Sequence, residues 1–191
     1  MTGIFGGAFD PPHLGHLALL RAAQAGLDLD ETVVVVTAAP GHKRVETPAD
    51  VRLELARAAF PGERVMLDGH ARTVDLLRDH PEWHGAFFLL GADEFAGFLD
   101  WTEPAEVLRL VRLAVATRPG FPPERLDPVL AALPQPERVV FFELEPVPIA
   151  SSALRERLDR GEDVQELVPP AVWALIERER LYGRASYTGR A

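Results

Sequence analysis

The stretch Ile4-Phe5-Gly6-Gly7-Ala8-Phe9-Asp10-Pro11-Pro12-His13-Leu14-Gly15-His16 constrains this chain more than any other. Met1 to Phe5 leaves room for one opening strand. Gly6-Gly7 ends it with backbone that can take positive φ or come close to a ligand. Asp10-Pro11-Pro12 forces a turn, since each proline fixes its own φ and biases the residue before it away from helix. A helix starts at about His13, with Leu14, Leu17, Ala18, Ala22 and Ala25 at helical spacing as its expected buried face. His13 and His16 then neighbour one another on the first turn. Unpaired N–H groups and the positive end of the helix dipole gather there and suit an anion. Together these features make a phosphate-handling site that lacks the P-loop lysine. The blander reading is that both histidines only cap and pack the helix. Zinc is the other alternative. No cysteine, no HExxH pattern and no third nearby ligand accompanies the pair, so no metal site is expected.

The rest of the chain alternates strands and helices. Thr32-Val33-Val34-Val35-Val36-Thr37 is a continuous β-branched run, as for a strand buried on both faces of a parallel sheet. A loop follows to Glu46, and Thr47-Pro48 reads as an N-cap with proline at the first helical position, opening a helix that buries Val51, Leu55 and Ala58 or Ala59. Arg64–Leu67, Ala86–Leu90, Leu113–Thr117 and Val139–Phe142 are further strands, separated by helices at Thr73–Arg78 and from Pro104 to about Leu110. The pattern predicts an α/β fold, a Rossmann-like doubly wound parallel sheet with right-handed crossovers and a small helical C-terminal extension. Residues 120–136 read as a proline-rich surface excursion, and 184–191 as a frayed end. No linker divides the chain, so residues 1–191 are expected to form one domain, with the sheet core at about 1–148 and a helical part at about 149–183.

Ligands of such sheets sit beyond the carboxyl ends of the strands. Gly6-Gly7, the loop after Thr37 and Gly91-Ala92-Asp93 all follow strands and should converge on one cleft. The middle one carries Gly41-His42-Lys43-Arg44, a basic cluster that is either a solvated turn or an anion-facing loop. Near the end, Ser151 or Ser152 would cap a helix whose apolar face holds Leu154 and Leu158 and whose stop is Gly161. Arg155 falls close to that helix start, where the dipole disfavours a cation. An anion held between the two explains it best.

Charge and composition narrow the class. A net charge of −9 over 191 residues argues against a nucleic-acid surface. The 47% hydrophobic and 26% charged content is that of an ordinary globular protein. No apolar run reaches membrane-spanning length, and the start lacks a signal-peptide layout. With zero cysteines the chain has no disulfide, and a cytoplasmic location is the expectation. The first strand is followed by no GxGxxG, which disfavours a dinucleotide-dependent oxidoreductase.

The spacing Gly-Gly-x-Phe-Asp-Pro-x-His-x-Gly-His resembles the signature of the HxGH nucleotidyltransferase superfamily. Ile149-Ala150-Ser151-Ser152-Ala153-Leu154-Arg155 is similar to its second signature, Ile-Ser-Ser-Thr-x-Ile-Arg, and Gly91-Ala92-Asp93 to its Gly-x-Asp. Pro40-Gly41-His42-Lys43 and Trp101 are similar to the branch that acts on nicotinate mononucleotide. Ala71-Arg72-Thr73-Val74-Asp75-Leu76 departs from that branch's Ser-Tyr-Thr-x-Asp-Thr, keeping only Thr73 and Asp75. The resemblance implies adenylyl transfer from ATP to nicotinate mononucleotide, in NAD biosynthesis, with Mg²⁺ arriving on ATP. It implies His13, His16 and Lys43 on the reacting phosphates, and Gly6, Gly7, Phe9, Gly91, Asp93, Ser151, Ser152 and Arg155 around ATP. Ala8, Lys43, Arg72, Thr73 and Trp101 would face the mononucleotide. Expected partners are these small molecules, with neither nucleic acid nor membrane; a homo-oligomer is not readable. Other readings fit too: a preference for nicotinamide mononucleotide or phosphopantetheine, a cytidylyltransferase, or a non-catalytic nucleotide sensor.

Overall fold

The computed structural model of the chain describes residues 1–41, 45–117, 123–145 and 147–183. His42, Lys43 and Arg44, residues 118–122 of the proline-rich stretch and the 184–191 end lie outside the described residues.

Six strands, β1 (Thr2–Gly7), β2 (Glu31–Thr37), β3 (Arg64–Asp68), β4 (Phe87–Gly91), β5 (Arg112–Thr117) and β6 (Val139–Glu143), form one sheet in the order β3-β2-β1-β4-β5-β6. Every pairing is parallel. The order reverses between β1 and β4, so a crevice opens beyond their carboxyl ends.

The valine run of β2 shows why the sheet is covered on both sides. Val33 and Val35 belong to one core cluster, Val34 and Val36 to another, and all four are buried. Side chains alternate along a strand, so a continuous apolar run feeds two cores at once. The first core takes α3 (Thr73–Asp79), α4 (Ala92–Ala96), α5 (Pro104–Leu110) and α6 (Asp127–Ala132). The second takes α1 (Leu14–Gly26), α2 (Ala49–Ala59), α7 (Ser151–Asp159) and α8 (Pro170–Glu179).

Several expectations need correction. The buried residues of α1 are Leu20 and Ala23, while Leu14 and Ala25 are exposed. This helix is apolar at almost every position, so its period does not say which face turns inward. Pro48 is the N-cap of α2, not its first residue, and Thr47 is buried beside it. Gly6 and Gly7 are absent from the positive-φ residues; what favours glycine there is close approach of two phenylalanine rings and of the cleft. A Cβ on Gly7 would stand 2.9 Å from the Phe9 ring, and one on Gly6 3.2 Å from Phe88. The 120–136 region is more than a surface excursion, because Leu126, Val129 and Leu133 enter the first core.

Candidate active site

The crevice is a cleft of about 1110 Å³. Its volume suits a ligand the size of a nucleotide or larger. The end of β1 supplies Gly6, Gly7, Ala8, Phe9, His13 and His16; the β3–α3 connection supplies Arg72 and Thr73. Gly91, Asp93 and Trp101 line it from the β4 side, and Ser151, Ser152 and Arg155 from α7. Each candidate residue that is described therefore borders one space. Pro40 and Gly41 also border the cleft, and Lys43 lies outside the described residues.

At its centre the His13 and His16 rings stack, with centroids 3.7 Å apart and planes 25° from parallel. The His13 N–H donates to Nδ1 of His16 at 3.2 Å, so that nitrogen is unprotonated and the remaining proton sits on Nε2. His13 is only 6% exposed, and burial lowers its pKa from 6.5 to about 4. His13 is the N-cap of α1, and its side chain is aimed at the backbone N–H of His16 in a reciprocal capping box, so the pair caps the helix as well as lining the cleft. With Nδ1 turned to the backbone, the neutral His13 ring keeps its one N–H on Nε2 as a donor for an anion at the helix start.

Phe9 has φ 50°, a left-handed conformation unusual for a bulky residue. Its ring is held edge-on by Phe5, His16 and Phe60 at centroid distances of 5.4, 5.1 and 5.4 Å. Phe9 thus shapes the floor under His16, and its side chain belongs to the core.

The second motif departs from its expected geometry. Ala150 is the N-cap of α7, and neither serine caps it. Ser151 Oγ instead donates to the Pro11 carbonyl at 2.9 Å, tying the two motifs together. Arg155 is the fifth residue of α7 and 8% exposed. One guanidinium nitrogen donates to the Asp10 carbonyl at 2.7 Å, and Nε lies 3.4 Å from Glu46 Oε1. These partners account for a cation near a helix start without an intervening anion. Asp93 sits inside α4, whose N-cap is Gly91, so it is not the cap either. Trp101 packs against Phe88 and Phe98 at 5.9 and 5.3 Å between centroids.

Sequence reasoning passed over three residues. Asp10, 1% exposed, was read only as a turn former; its carboxylate accepts from the Glu46 N–H at 2.7 Å and the Tyr182 hydroxyl at 2.8 Å. Arg52, equally buried, donates to the carbonyls of Ala8, Thr37, Ala38 and Thr47 at 2.7 to 2.9 Å. It pins the ends of β1 and β2 to the connection between β2 and α2. An arginine three before Leu55 on the inner face of an amphipathic helix was the available signal. Third, His70 lies between Asp68 and Asp79 at 2.7 and 3.0 Å on the cleft rim.

A parallel sheet, a switch-point cleft and paired histidines behind a diglycine strand end define a nucleotide-handling α/β protein. The profile of the cytidylyltransferase-like family matches residues 4–157. Among curated relatives, a probable nicotinate-nucleotide adenylyltransferase of Rubrobacter xylanophilus is 33% identical, covering 95% of this chain and 91% of the relative. One of Thermus thermophilus is 38% identical over 94% of this chain and 98% of its own. The chain belongs to the cytidylyltransferase-like nucleotidyltransferases and, within them, to the nicotinate-nucleotide adenylyltransferase family. The fold is shared with Plasmodium falciparum nicotinic acid mononucleotide adenylyltransferase complexed with NaAD. That match has a TM-score of 0.73 at 20% identity, over 95% of this chain and 96% of the other.

Proposed function

We propose that this chain transfers the adenylyl group of ATP to nicotinate mononucleotide, giving nicotinate adenine dinucleotide and pyrophosphate. One observation carries the reading: the stacked His13–His16 pair, the α7 motif and the Arg72–Trp101 wall border a single cleft. The relatives named for this activity support it over nearly their whole length.

An oxygen of the mononucleotide 5′-phosphate attacks the α-phosphorus in line. The bond from that phosphorus to the α,β-bridging oxygen breaks, and pyrophosphate leaves with the electron pair. The nucleophile is already an anion, so no general base and no covalent intermediate is required; positioning and charge stabilisation do the work. His13 and His16 would donate N–H groups to the α-phosphate and the bridging oxygen. Lys43 would add its charge from the basic loop, and Ser152 and Arg155 would meet the pyrophosphate end. Asp93 would accept from the ribose, while Trp101, Arg72 and Thr73 would enclose the pyridine. Mg²⁺ would neutralise the triphosphate when bound. Mg²⁺ retains water and prefers substrate phosphates, so few protein ligands would be needed. Asp93 and Glu94, which line the cleft, would meet its water ligands. We place the reaction in the cytoplasm, on one unit comprising the sheet and its helical C-terminal part.

The test is pyrophosphate release from ATP and Mg²⁺ with nicotinate mononucleotide, nicotinamide mononucleotide or phosphopantetheine. Fast release with the acid alone is expected. A preference for the amide keeps the chemistry and reassigns the Arg72 wall. ATP binding without release from any of them overturns the reading in favour of a sensor. His16→Ala should retain the fold and lose at least roughly a hundredfold in turnover, the scale of one removed transition-state donor.

A further inference from the structure

We propose that Tyr182 is a positioning residue for this reaction, acting through Asp10 to hold the histidine turn, the β2 loop and the head of α7 in one arrangement. The inference rests on the adenylyltransferase reading above.

Asp10 lies three residues before His13, and each of its oxygens is claimed by a different part of the chain. Its backbone carbonyl accepts from Arg155 of α7 at 2.7 Å. Oδ2 accepts from the backbone of Glu46, at the end of the loop that carries Lys43, at 2.7 Å. Oδ1 accepts from Tyr182 at 2.8 Å, across 172 residues of sequence. The first two donors belong to segments that border the cleft. Tyr182 comes from the far end, beyond α8, and its ring is packed in the second core with Leu181, Val172 and Ile176.

Packing alone does not call for the hydroxyl. A phenylalanine would fill an apolar slot without a polar atom to desolvate, so a buried phenol is retained where its O–H has a partner. Here the partner is Oδ1 of Asp10, and the buried Thr47 side chain lies beside the phenol. The phenol is protonated at neutral pH in any case, and burial, which raises its pKa well above the ordinary value, keeps it a donor into the alkaline range. Loss of that donor leaves Oδ1 of a nearly inaccessible carboxylate unpaired, and the carboxylate must turn or admit water. Either response shifts the backbone to which Arg155 and Glu46 are bonded and from which His13 and His16 project. Displacements of about 1 Å in such a constellation cost about a hundredfold in rate.

The experiment compares Tyr182→Phe with Leu181→Ala, a neighbouring core truncation that makes no bond to Asp10. For each variant, kcat and both KM values are measured per folded molecule, and the imidazole signals of His13 and His16 are followed by NMR. Tyr182→Phe should lower kcat at least tenfold, leave both KM values within about threefold, and move the histidine signals. Leu181→Ala should lose thermal stability yet keep kcat within about twofold, with those signals in place. The proposal is overturned if Tyr182→Phe keeps near-normal kcat, if its histidine signals stay put, or if Leu181→Ala matches its kinetic loss. Should Tyr182→Phe not fold, Thr47→Val removes the buried hydroxyl beside the phenol and is judged by the same criteria. If the unaltered enzyme uses none of the mononucleotides, the functional reading fails, and the histidine signals alone decide the role of Tyr182.

Discussion

His13 shows what burial does to a single side chain. Its pKa lies at about 4 in the folded protein against 6.5 ordinarily, so between those values the unfolded chain binds more protons. Its contribution to stability is complete above pH 6.5 and is lost as pH falls toward 4, by about 3 kcal/mol in all. Urea unfolding at pH 7 and pH 5 should show a smaller difference for His13→Gln than for the parent; equal differences would take His13 out of the acid response. His70 has the opposite sign. Its hydrogen bonds to Asp68 and, more weakly, Asp79 raise its pKa against a partial desolvation. That stabilisation is present below pH 6.5 and fades as pH rises through the raised folded value. The stability gap between parent and His70→Ala should therefore narrow on alkaline titration. The two histidines of the first motif were legible from their spacing. The clamp on His70 was not, because Asp79 comes from the other end of α3.

Among the elements, α2 shows how much depends on one polar residue facing inward. Arg52 sits where an apolar residue would be expected and satisfies four carbonyls at the ends of β1 and β2 and in the connection between β2 and α2. Arg52→Met keeps the volume but strands these acceptors, at about 1–3 kcal/mol for each that water does not reach. Chemical denaturation should show a loss of at least about 3 kcal/mol; a loss under 1 kcal/mol would mean that water replaces the guanidinium freely. The strands were legible almost to the residue, because buried parallel strands are apolar without interruption and end at glycine, proline or charge. Helix starts were less so. Pro48 and Ala150 are the caps where Thr47 and a serine were expected; Thr47 is buried, and Ser151 turns to the Pro11 carbonyl instead. A propensity for capping yields to a better hydrogen bond elsewhere.

In the molecule as a whole, two cores share one sheet, and each strand interior belongs to both. Neither face can lose its helices without exposing strands on which the other depends. We expect one cooperative transition. A variant keeping only Trp83, in the first core, and one keeping only Trp173, packed on the second, should report the same urea midpoint after correction for global stability. Separate midpoints would show two independent units. The α/β class and the cleft were legible because period and glycine placement are local signals. The Asp10–Tyr182 bond was not, because nothing in either segment announces a partner 172 residues away. That separation also bears on synthesis. At about 5–20 residues per second, the ribosome delivers the tyrosine roughly ten to thirty-five seconds after the aspartate. Throughout that interval the opening motif exists on a growing chain without its lock, so this form of the site can arise only when synthesis has reached the far end.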